Sequence, residues 1–143
     1  LPVGAFVSSK ENMSLLGYKP RLGHITTFGG NPVIAAAALA TLEEIEAKKY
    51  QSKAIQHEAL IRASLKHPFI KEIRGKGLML ALILKDPEIA NHLVIEGMKE
   101  GVILFWLLYE KRAVRITPPL SISEKELKKG CATILSVLDR YAC

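Results

Sequence analysis

Two places in the chain combine residue types that can do chemistry. The first is Thr26-Thr27-Phe28-Gly29-Gly30-Asn31-Pro32, where two hydroxyls and two glycines stand just before the start of a helix. Free N–H groups and the helix dipole at such a terminus favour an anion, and phosphate is the natural ligand. A plainer reading is equally open: a glycine-rich turn closed by a helix cap. The second is Arg115, set in Val114-Arg115-Ile116-Thr117-Pro118-Pro119. A guanidinium inside an apolar strand is costly unless it meets a carboxylate or phosphate. The alternative is an edge-strand arginine facing water.

Other candidates carry less. Arg74-Gly75-Lys76-Gly77 can touch an anion but reads more simply as a tight turn between two strands. His24, His57, His67 and His92 show no pair at metal-ligand spacing and no nearby cysteine, so no metal site is expected. Ser8-Ser9 is not a nucleophile elbow, and Glu43, Glu44 and Glu46 read as the solvated face of a helix. Residue types and spacing alone therefore reach an anion site and an unexplained arginine.

The elements that must position these residues follow from local signals. Asn31-Pro32 reads as N-cap and first helical residue of a long helix whose first half is apolar all round. The helical pattern continues from Gln51 to Lys66, as one bent helix or two, until His67-Pro68 ends it. Residues 69–73 and 78–84 read as strands joined by the glycine turn. Asp86-Pro87 opens a helix with Ile89, Leu93, Val94 and Met98 inward and Gly101 as its terminal glycine. Strands at 102–105 and 113–116 flank a connection at 106–112. Ser123 and Glu126 form a capping box before a stripe of Leu127, Cys131, Ile134, Leu138 and Tyr141. The pattern predicts an α/β or α+β domain with a small, mostly antiparallel sheet covered by helices. Residues 1–7 read as the middle of a buried strand whose neighbours must come from elsewhere, and 8–28 as a loop with a short helix.

Composition narrows the class. With 49% hydrophobic and 24% charged residues over 143 positions, the chain is long enough for a real core. Its longest apolar runs, Val33 to Ala40 and Val102 to Tyr109, fall well short of the roughly 20 residues a membrane-spanning helix needs. The net charge of +6 is spread out, without a basic stripe interleaved with aromatics, so no nucleic-acid partner is expected. Cys131 and Cys143 cannot build a disulfide framework, which fits a reducing compartment. No signal-peptide pattern is present, and the abrupt start on Leu1 is expected of a fragment.

At these residues the sequence resembles the C-terminal part of the class III pyridoxal-phosphate aminotransferases, which include acetylornithine, ornithine and 4-aminobutyrate aminotransferases. Four segments match in order: Leu1-Pro2-Val3-Gly4-Ala5; His24 to Pro32 with the alanine-rich helix; Arg74-Gly75-Lys76-Gly77-Leu78; and Arg115-Ile116-Thr117-Pro118-Pro119-Leu120. The resemblance implies a fold-type I enzyme, with 1–31 a remnant of the large cofactor-binding domain, 32–66 a long connecting helix and 67–143 the C-terminal small domain. It makes Thr27, with Thr26 beside it, a ligand of the cofactor phosphate held mainly by the neighbouring subunit of a homodimer. It makes Arg115 the anchor of a substrate carboxylate, a task suited to a planar, always-charged fork.

The lysine that holds pyridoxal 5'-phosphate as a Schiff base is expected upstream of the segment matching Leu1, so the resemblance supplies no catalytic residue here. The expectation is a cytoplasmic parent enzyme moving an amino group between an amine or amino acid and a 2-oxo acid, with these 143 residues inactive alone. Aminomutase or decarboxylase chemistry on the same fold, or a non-catalytic α/β binding module, are the alternatives. Residues 102–109 are more apolar than that place in the family leads one to expect. They read as a core strand with a dimer contact or as the lining of a hydrophobic substrate pocket.

Overall fold

A computed structural model describes residues 1–19 and 25–141; His24, within the second matched segment, and Cys143 lie outside the described residues. The chain divides into two compact units, Leu1–Lys48 and Lys49–Cys143.

In the first unit, residues 1–9 are exposed and form no strand. The buried strand expected there is absent because the described residues of the unit offer it no pairing edge, and a strand needs a partner for its N–H and C=O groups. Helix α1 (Lys10–Leu15) starts where Ser9 accepts a hydrogen bond from the Asn12 amide at 3.2 Å. Helix α2 (Pro32–Ala47) is capped by Asn31 with proline in its first turn, as the sequence predicts. Although its first half is apolar all round, α2 buries no residue here. Of the two readings of the helical pattern through residue 66, one bent helix or two, the structure has two: the break falls at Lys48-Lys49, where Lys49 takes a left-handed φ of 52°. A second helix, α3 (Tyr50–Ser64), begins at once.

The second unit is a four-stranded antiparallel sheet in the order β1-β2-β4-β3, comprising β1 (Ile70–Lys76), β2 (Met79–Leu84), β3 (Phe105–Trp106) and β4 (Ala113–Ile116). Helices α3, α4 (Pro87–Lys99) and α5 (Glu124–Tyr141) cover one face. The core between them holds Leu80, Leu82, Val114 and Ile116 from the sheet against Ile61, Leu93, Val94, Ile134 and Leu138. Strand alternation gives this split: on β4, Val114 and Ile116 point inward and Arg115 outward.

The caps legible in the sequence hold. Asp86 accepts from the Glu88 amide at 2.7 Å, Gly101 has a φ of 82°, and Ser123 and Glu126 exchange amide hydrogen bonds at 3.0 and 3.2 Å. Three packing details differ. Met98, expected inward, is 52% exposed, while Ala90 and Gly97 take the inner positions of α4. Tyr141 lies at the edge of the stripe, 36% exposed. The strand expected at 102–105 is reduced to Phe105–Trp106, because the Val102 amide donates to Gly97 O at 2.8 Å and so finishes the end of α4 instead of entering the sheet.

The glycine motif is also placed differently. Pairing continues through Lys76 opposite Met79, so Arg74, Gly75 and Lys76 belong to β1 and the turn is Gly77-Leu78. Gly77 has a φ of 59° and Leu78 does not share a positive φ, which fits a type II′ hairpin. This hairpin is tied to α3. Glu58 accepts from the Gly77 amide at 2.5 Å and from Arg62 Nε at 2.9 Å, and Arg62 donates onward to Ile73 O at 2.6 Å and Gly75 O at 2.9 Å. The Gly77 amide, more than the guanidinium, holds the Glu58 carboxyl below its ordinary pKa.

Candidate active site

In the first unit, Thr26 and Thr27 are both exposed and open the turn that leads into α2. The Gly29 amide donates back to Thr26 O at 3.1 Å, and a Cβ on Gly29 would stand 2.8 Å from Thr26 Oγ1, so this position must be glycine for the hydroxyl to fold over the turn. Asn31 Oδ1 accepts from the Val33 and Ile34 amides at 3.0 and 3.2 Å, Asn31 O accepts from Ala35 at 2.9 Å, and Pro32 has no N–H. The first-turn amides are therefore spent on the cap. An anion here meets the two threonine hydroxyls and the turn, not the free helix amides that the sequence pattern invited. A phosphate fits the hydroxyls, which donate to it without displacing any of these bonds.

In the second unit, neither sequence reading of Arg115 holds unchanged. The residue is exposed, yet its strand is interior, paired with β2 on one side and β3 on the other. Among the described residues of this unit no helix lies over the outer sheet face, which is why a charge tolerates the middle of an apolar strand. Register places Arg74, Ala81, Arg115 and Phe105 in one row across that face. Arg115 Cζ lies 5.2 Å from the centre of the Phe105 ring.

The other described arginines are all paired: Arg62 with Glu58, Arg74 with Glu72, Arg112 with Glu110 and Arg140 with Glu100. Among the described residues Arg115 is the arginine that no carboxylate engages. Arg74-Gly75-Lys76-Gly77 is thus left with little for an anion, since Arg74 is committed to Glu72 through Nε at 2.8 Å.

Beside the arginine row, Glu72, Ile83 and Ala113 face each other in the next row, and Ile83 and Ala113 are buried although they face outward. Charged groups surround them. Arg112 donates to both oxygens of Glu110, at 3.0 and 2.8 Å, and its amide donates to one of them at 3.1 Å. The Arg112 side chain first, then its amide, hold the Glu110 carboxyl at a pKa of about 2 instead of 4.5, with Arg74 adding a smaller attraction. Because the folded pKa is depressed, this contribution to stability is complete above about pH 4.5 and is lost as the pH falls towards 2. Urea midpoints measured from pH 6 to pH 2 are expected to fall over that window, and to fall less steeply in Glu110→Gln; identical slopes would remove Glu110 from the acid response.

A cavity of about 520 Å³ opens on the helix side of this unit, lined by Ile61, Leu65, Val102, Ile116, Pro118 and Cys131 among others. Arg115 does not line it, and burial pushes the Cys131 thiol pKa up, which leaves it a poor nucleophile. Arg115 stands on the opposite, outer face. Among the described residues no group of three His, Cys, Asp or Glu is placed to hold a metal, and no helix is long and apolar enough to cross a membrane.

The chain thus combines an antiparallel sheet that carries helices on one face and, among the described residues, an arginine without a carboxylate partner on the other, with a hydroxyl-rich turn before a helix elsewhere in the sequence. The profile of the aminotransferase class-III family matches residues 1–138, and the chain belongs to that family. It is 36% identical over 141 residues to a putrescine aminotransferase of Pectobacterium atrosepticum, covering 94% of this chain and 29% of that protein. It is likewise 36% identical over 138 residues to an acetylornithine aminotransferase of Corynebacterium efficiens, covering 96% and 33%. A solved ornithine aminotransferase from Toxoplasma gondii, described with partial occupancy of PLP at its active site, matches with a TM-score of 0.73 at 31% identity, over 88% of this chain and 30% of that one. The chain spans about a third of the length of the curated relatives it matches.

Proposed function

We propose that the whole protein is a cytoplasmic, homodimeric transaminase that moves an amino group between an amine or amino acid and a 2-oxo acid, with pyridoxal 5'-phosphate as cofactor. Bound to the protein, the cofactor supplies an electron sink for the carbon that loses or gains the amino group. This chain's own contribution is binding and orientation. Thr27, with Thr26 beside it, donates hydroxyl hydrogen bonds to the cofactor phosphate, and Arg115 receives the substrate carboxylate. In this reading residues 1–31 belong to the large domain, 32–66 to the connection and 67–143 to the small domain.

The observation that carries the proposal is the state of Arg115: exposed on an interior strand, over an aromatic ring, and unpaired where the other described arginines are paired. A fixed fork with open donors suits two parallel bonds to a carboxylate. The test is amino transfer by the full-length protein from putrescine, acetylornithine or ornithine to pyruvate or 2-oxoglutarate, alongside the 143-residue chain. Turnover with cofactor absorbance is expected from the full-length protein and neither from the shorter chain. Absence of transfer from every donor would overturn the proposal, and turnover by the 143 residues alone would overturn the division of labour.

A further inference from the structure

Phe105 is directly opposite Arg115 in the β3–β4 register, on the same outer face. Its ring is 54% exposed, so the core does not need it, yet the guanidinium carbon lies within cation–π reach of it. The other neighbour of Arg115 across the strands is Ala81, which offers no polar group. The indole of Trp106 meets the Phe105 ring edge-on, with centroids 6.4 Å apart, and steadies it from the strand side. A long side chain with many rotamers is thus restrained by a ring where a carboxylate restraint would have occupied its donors.

We propose that Phe105 is a positioning residue for Arg115, holding the guanidinium over the sheet by a cation–π contact while leaving its N–H donors free for a substrate carboxylate. This rests on the reading of Arg115 as the carboxylate anchor. A neutral ring draws the cation without competing for the donors, whereas an acidic neighbour, as at Arg62, Arg74, Arg112 and Arg140, occupies them.

The test is a double-mutant cycle in the full-length enzyme, read as KM for pyruvate and 2-oxoglutarate against KM for a diamine donor that has no carboxylate. Phe105→Leu keeps an apolar side chain but removes the ring; it is expected to raise the oxo-acid KM roughly two- to five-fold and leave the diamine KM unchanged. Phe105→Tyr, which keeps a ring, is expected to restore the wild-type value. In an Arg115→Ala background Phe105→Leu should have no further effect. Equal losses in both backgrounds, or equal losses for Leu and Tyr, would overturn the inference and make Phe105 a packing residue. The Arg115→Ala arm is separate: if it leaves the oxo-acid KM unchanged, the anchor reading fails and the positioning role with it. If it raises that KM while Phe105→Leu is silent, the positioning role alone fails.

Discussion

Arg115→Ala in the full-length protein is expected to lower kcat/KM for 2-oxo acids and for amino-acid donors by about 30-fold to several thousand-fold, the equivalent of roughly 2–5 kcal/mol for truncating one partner of a desolvated charge pair. The loss should fall on carboxylate-bearing substrates and spare a simple diamine. Arg115 has no carboxylate partner among the described residues, so its removal breaks no ion pair of the fold. It is exposed, with buried Val114 and Ile116 pointing to the other side, so the core also stays intact. An effect on activity without an effect on unfolding is therefore the expected signature. Arg115→Lys keeps the charge but not the fork and should recover only part of the loss. Steady-state kinetics with paired carboxylate and carboxylate-free donors decides the matter: an equal loss on both would assign Arg115 to something other than carboxylate binding.

The second large effect concerns stability. Gly75 has a φ of 111°, and a Cβ built there would stand 2.1 Å from Met79 O and 3.0 Å from the Leu80 Cα. Both contacts are backbone of the paired strand, so no side chain can swing aside. Gly75→Ala is expected to cost about 3–5 kcal/mol, combining backbone strain with the overpacking it forces. The carbonyl that Gly75 offers to Arg62 would move as well, loosening the tie between the hairpin and α3. Gly101→Ala is the matched control: its φ is also positive, 82°, but a Cβ there meets nothing within 4 Å. Its cost should be only the left-handed penalty, about 1–2 kcal/mol. Urea unfolding of both variants would show the difference, and equal costs would mean that the β1–β2 approach can relax.

The parts of the fold legible in the sequence share one physical character: they are settled within a few residues. The Asn31, Asp86 and Ser123 caps, the prolines that follow two of them and the terminal Gly101 are all satisfied by amides two or three positions away or by a local φ. The stripe of α5 likewise needs only the helical period. Where the outcome depends on pairing with distant residues, the sequence reading slipped. The glycines at 75 and 77 look alike in sequence, but register against Met79 makes one a strand residue and the other the turn. Residues 102–104 have strand composition, yet Gly97 O captures the Val102 amide first. The break at Lys48-Lys49 has no glycine or proline to announce it, which is why the sequence reading left one bent helix and two helices both open.

The candidate site divides in the same way. Residue types and spacing marked Thr26, Thr27 and Arg115, because hydroxyls before a helix and a cation in an apolar strand are conspicuous in one dimension. The helix amides beside the threonines go to the Asn31 cap, which is itself a local feature. Tertiary structure decided that Arg115 stands on the outer face of an interior strand with Phe105 opposite and, among the described residues, no carboxylate paired with it, because β-sheet neighbours are chosen by register and not by proximity along the chain.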